Sequence, residues 1–179
     1  MTADPTDPSR SVWVATDADN ALVRITGRAS FSIGPALKQL GTALIDRQYG
    51  RFVLDMAECD GVDSTFLGIL AGLALRIKKT CGGTIIMINL PLDIHENVCL
   101  LGLNRIIDCH EAGKCPDDVQ ESLGRLSALN RLDIGQVDAK TTRKTTIEAH
   151  EALISSDERN LPRFKDVLTF LRETSDTRK

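Results

Sequence analysis

The chain has 179 residues, 42% of them hydrophobic and only 4% aromatic, and carries a formal net charge of −3. That length holds one domain of ordinary size with an appendage, and that apolar fraction builds an aliphatic core. The balance excludes a globally basic surface for nucleic acid, and no segment approaches the roughly 20 apolar residues of a membrane span, so neither nucleic acid nor membrane is expected as a partner.

Residues 1–11 are rich in Pro, Asp, Ser and Thr and hold no apolar run. They predict a disordered leader, not a signal peptide. Two short strand-like runs follow, at 12–15 and 21–25, with the turn-forming Asp17, Asp19 and Asn20 between them. They read as a β-hairpin, and Gly27 is expected to turn the chain after it. Leu37, Leu40, Leu44 and Ile45 recur at helical spacing and predict a helix over 35–46. Residues 51–56 are a nearly continuous apolar run, the pattern of a strand buried on both faces. A polar stretch that reads as a turn leads to a helix starting at Asp63 or Ser64. Its apolar stripe is Phe66, Leu67, Leu70, Leu73, Ala74 and Ile77, and Gly82 and Gly83 end it. Residues 84–90 are another buried-looking strand. Pro91 suits the first turn of a third helix through Ile94, Val98 and Leu101, which Gly102 ends. A last short strand is expected at 106–110. This order is α/β, with crossovers that favour a mostly parallel sheet made mixed by the opening hairpin.

Beyond Ala112 the pattern changes. Val119, Leu123, Leu126 and Leu129 predict one helix. Residues 140–146 read as an exposed linker or a helix start. Ile147, His150, Leu153 and Ile154 give a weak helical stripe, and Phe164, Val167, Leu168 and Leu171 a stronger one after Pro162. These stripes are expected either to pack on the domain or to dock a partner. A chain ended after about Asn130 is expected to fold.

Five cysteines, an odd number without C-x-x-C spacing, predict reduced thiols in a cytoplasmic protein. Cys109, His110 and Cys115 lack the paired spacings of a zinc site, so no metal and no cofactor are expected. His95, His110 and His150 read as surface or helix-end residues. No nucleophile–base or metal-ligand motif is present, so the chain is expected not to be an enzyme.

The chemically informative point is Asp63-Ser64-Thr65 at the mouth of the second helix. A serine there can cap a free backbone N–H, or its hydroxyl can serve as an acceptor for modification. Gly68, Ala71, Gly72 and Ala74 put small residues on the same helix, which permits close packing on the sheet; Gly68 would also let a partner backbone approach beside Ser64.

Three stretches in order carry a resemblance. They are Val53-Leu54-Asp55-Met56-Ala57 leading to Val62-Asp63-Ser64-Thr65 with Leu67-Gly68, then Lys78-Lys79-Thr80-Cys81-Gly82-Gly83, then Val98-Cys99-Leu100-Leu101-Gly102 through Ile106-Ile107. Together they resemble the STAS family, the bacterial anti-sigma factor antagonists. The resemblance implies a STAS-like domain at 12–111, after a leader at 1–11 and before a helical C-terminal extension at 112–179. It implies a mixed, mostly parallel sheet with helices packed against it. It further implies a regulatory binding protein that holds an anti-sigma factor kinase when unphosphorylated. Ser64 would be the phospho-acceptor, supported by Asp63 and Thr65, with Phe66 and Gly68 on the partner-binding surface. The partners implied are an anti-sigma factor kinase and a protein phosphatase, with homo-oligomer formation left open. The alternative is a STAS scaffold subunit of a larger signalling assembly. Two departures stand out: Phe66 occupies a position often held by glycine in the family, and Arg28 lies in a stretch where many members are acidic. Phe66 is therefore expected to point to solvent or to a partner.

Overall fold

The computed structural model describes residues 11–17, 20–125, 128–135 and 137–176. The leader therefore lies almost wholly outside the described residues. The elements, in chain order, are β1 (Ser11–Thr16), β2 (Asn20–Ala29), α1 (Gly34–Asp46), β3 (Arg51–Val62), α2 (Ser64–Cys81), β4 (Thr84–Leu90), α3 (Leu92–Leu100), β5 (Asp108–Glu111), α4 (Asp117–Arg125), β6 (Asn130–Arg131), α5 (Ala139–Ser156) and α6 (Leu161–Asp176). They build one six-stranded sheet in the order β5-β4-β3-β2-β1-β6. Strands β2 to β5 run parallel to one another, while β1 is antiparallel to both β2 and β6. The mixed, mostly parallel sheet with packed helices is the architecture expected from the sequence.

Burial follows the apolar pattern. Phe52 and Leu54 of β3 and Ile85 and Met87 of β4 join the main core with α1, α2 and α3. Val53, Ile86 and Ile88, on alternate positions, face the other way and pack with Leu22 beneath Val119 of α4. Both faces of the central strands are thus covered, which explains their unbroken hydrophobic runs.

Two local expectations are corrected. Gly27 does not end the hairpin: β2 continues through it to Ala29, with Gly27 at φ 72 and the register against β3 shifting beside it. The stretch after Met56 is not a turn either. Residues 57–62 continue β3 along β2, with Cys59 and Gly61 buried and Glu58 and Asp60 exposed. That alternation is a strand signal, hidden because its inward residues are small. The last core strand also starts later than expected, since a short 3-10 turn, Leu103–Arg105, precedes it.

The C-terminal third wraps the sheet. Helix α4 lies on one face, β6 pairs with β1 at the edge, and α5 returns to the opposite face, where Ala149 and Leu153 enter the main core. Residues 140–146 are a helix start: Asp138 caps α5 by accepting from the Thr141 N–H. On α6, Leu168 is buried and Phe164 packs against the core, while Val167 is exposed. Among the described residues no helix is long and apolar enough to cross a membrane.

Candidate functional site

The site forms where β3 hands the chain to α2. Asp63 is the N-cap: its Oδ1 accepts from the Phe66 N–H at 2.8 Å. Its Oδ2 accepts from the Phe31 N–H at 2.8 Å, and its own N–H donates to the Ala29 carbonyl at 3.1 Å. One carboxylate therefore starts the helix and fixes the β2–α1 loop beside it. Because Asp63 takes the capping role, Ser64 is the first helical residue, and its hydroxyl is released from capping the helix.

That hydroxyl is half-buried and lies 3.0 Å from His150 Nε2 on α5. His150 is only 4% exposed and stacks on Phe164 of α6, with ring centroids 4.7 Å apart and planes 11° off parallel. Burial pushes its pKa below the ordinary imidazole value, opposed by the nearby negative charge of Asp63. Nδ1 has no hydrogen-bond partner among the described residues. His150 is thus a buried, neutral-favouring group in mid-helix, not the surface or helix-end residue expected for it. The sequence reading found no serine–histidine pair because these two residues are 86 positions apart.

A serine and a histidine at this distance can exchange a proton. Covalent catalysis usually asks for more, namely a third group that orients the base. Here Phe164 holds the ring by stacking, and among the described residues no carboxylate bonds Nδ1. The chemistry the arrangement offers most directly is an oriented hydroxyl at the positive end of α2. A phosphate attached there would sit close to the helix dipole and to unfilled backbone N–H groups.

The other predicted residues distribute unevenly. Thr65 is 6% exposed and faces inward, so it presents no hydroxyl to a modifying enzyme. Phe66 is fully buried in the core, contrary to the expected orientation toward solvent or a partner. Its place on the first turn puts it on the same stripe as Leu67 and Leu70, above the sheet. Gly68 does admit a close backbone approach, but from the chain itself: a Cβ there would lie 2.3 Å from the Ala149 carbonyl oxygen. Gly72 likewise faces Ala152 of α5. Both glycines serve the α2–α5 contact and not the sheet packing read for them. Two residues escaped the sequence reading. They are His150 and Phe31, the latter 44% exposed beside Asp63. Phe31 had a signal available, an isolated aromatic in a polar loop next to the site.

A family model described as Mlab, STAS domain matches residues 13–108. No curated protein matches the chain. Among solved structures, an anti-sigma factor antagonist from Mycobacterium paratuberculosis is 19% identical with a TM-score of 0.53, over 69% of this chain and 99% of that one. The phosphorylated form of the Bacillus cell fate determinant SpoIIAA is 11% identical with a TM-score of 0.51, over 64% of this chain and 100% of that one. At these identities the likeness is one of fold. Both alignments leave about a third of this chain unmatched.

Proposed function

The chain belongs to the STAS domain family, and on that premise we propose that it is a phosphorylation-switched regulatory binding protein, an anti-sigma factor antagonist. In this reading it binds an anti-sigma factor kinase when Ser64 is unmodified and releases it when Ser64 carries phosphate. A phosphatase resets the switch. The observation that carries the reading is the division of labour at the start of α2: Asp63 caps the helix, which leaves the Ser64 hydroxyl for other chemistry. Phosphate at that point adds about −1.5 to −2 charges and three acceptors. At an interface it would repel acidic groups and oppose desolvation. Phe31, exposed next to Asp63, supplies an apolar anchor for the partner.

Affinity capture from the native organism tests this. The chain with Ser64→Ala should retain a small kinase as strongly as the parent. Ser64→Asp should retain clearly less, although one charge imitates phosphate incompletely. Equal recovery with both variants, or recovery of no kinase, would contradict the reading.

A second reading, a scaffold subunit of a larger assembly, draws support from the exposed Leu92 and Leu100 at the two ends of α3. A large homomeric particle in light scattering would favour it.

A further inference from the structure

The face of α2 that carries Ser64 is already occupied by this chain's own C-terminal helices. Ser64 bonds His150, and one turn later Gly68 lies directly under the Ala149 carbonyl. Further along, Gly72 faces Ala152. A kinase must enclose the serine hydroxyl in its own active site, and a binding partner must cover the start of α2. Neither can do so while α5 lies across that face.

We propose that α5 and α6 form an autoinhibitory cover over the Ser64 face, which must lift as a unit before Ser64 is modified or a partner is bound. The proposal rests on the functional reading above for what is being inhibited, but the cover itself is a matter of geometry.

The way the cover is attached suits a segment that opens. Its buried stripe is Thr145, Ala149, His150 and Leu153. Leu153 is the one large aliphatic residue of that stripe, with Ala152 and Phe164 packed at its margin, whereas β3 and β4 each bury several large side chains. Much of the rest of the attachment is polar. Asn160, buried at the α5–α6 junction, donates from Nδ2 to the carbonyls of Leu101 at 3.0 Å and Leu153 at 2.9 Å. Asp157 pairs with Arg105, and Glu148 with Lys38. The connection back to the sheet passes through Gly135, at φ 61 and exposed, which gives the tether conformational freedom. Polar latches and a thin apolar stripe mark an element that opens at lower free energy than the sheet.

Phosphate would bias the equilibrium toward the open form. In the closed form its added bulk and charge would have to fit where the half-buried Ser64 hydroxyl already lies 3.0 Å from His150 Nε2. Once α5 lifts, the phosphate has room and is solvated while it remains at the N-terminus of α2.

Two measurements on the full chain test this without any kinase. In hydrogen–deuterium exchange on the unmodified protein, the amides of α5 and α6 should exchange together and well before those of β3 and β4. In the second, Ser64→Cys gives a thiol at the covered position, and its labelling by N-ethylmaleimide is followed by peptide mass spectrometry. Adding Asn160→Ala, or Ala149→Glu, should speed labelling by about tenfold or more in chains that still unfold cooperatively, because each weakens the closed form. Exchange of α5 at the same rate as β3, or equal labelling with and without these changes, would overturn the proposal. Phosphorylation enters neither readout. A cover that lifts on a chain that is never phosphorylated would therefore count against the functional reading alone.

Discussion

His150 sits in mid-helix with 4% of its surface exposed, and burial lowers its pKa from the ordinary 6.5. In the unfolded chain it takes up a proton first as pH falls, so its contribution to stability is full above about 6.5 and is lost progressively below that value. Urea unfolding followed from neutral to mildly acidic pH should therefore show falling stability, with a slope from this one group of at most about 1.4 kcal/mol per pH unit. His150→Gln keeps a polar group toward Ser64 and cannot ionise, so it should flatten the slope. An unchanged slope in the variant would assign the effect elsewhere. Asp157 titrates in a separate window. Its bonds from Arg159, with Arg105 nearby, hold its pKa at about 2, so its stabilising effect fades only as pH falls below the usual carboxylate range. The helix start at Asp63 or Ser64 was legible in the sequence and the histidine was not, for a simple reason. Asp63 acts on a neighbour three positions away, whereas His150 meets Ser64 only after the sheet is complete and α5 has crossed it.

At the scale of elements, the α2–α5 contact depends on the absence of side chains. Gly68→Ala would bring a Cβ to 2.3 Å from a backbone carbonyl oxygen, which a helix can relieve only by moving. A loss of about 1–3 kcal/mol is expected, as for other overpacked sites. Gly72→Ala places its Cβ 3.5 Å from the Ala152 methyl, an ordinary contact. There the gain in helix propensity, up to about 1 kcal/mol, should leave stability unchanged or raise it. Thermal unfolding midpoints of the two variants should therefore move in opposite directions or by clearly unequal amounts. Equal losses would mean that α5 does not lie where this structure has it. The same contact explains why α5 was hard to foresee. Small residues on α2, Gly68 and Gly72, are matched by Ala149 and Ala152 on α5, so neither helix needs a bold hydrophobic stripe where they touch. The long apolar runs of β3 and β4 were read without difficulty because they are buried on both faces.

For the whole molecule, the C-terminal third acts as a strap: α4 on one face, β6 at the edge, α5 and α6 on the other. Treating 12–111 as the folding unit remains a proposal, and it has a definite consequence. A chain ended after Asn130 keeps β1 to β5 and α1 to α4, and loses the burial of Ala149, Leu153 and Leu168. It should still unfold cooperatively in urea, at a lower midpoint than the full chain; loss of cooperativity would make α5 part of the core. The central claim, however, concerns one oxygen atom. Thr65 is buried, Asp63 is committed to the cap, and Ser64 alone of the three presents a hydroxyl at the start of α2. The most direct measurement is phosphosite mapping by mass spectrometry on the full-length protein isolated from its own cells. The account predicts phosphate on Ser64, absent when Ser64→Ala replaces the native residue. Phosphate confined to other positions, or none under any growth condition, would contradict it.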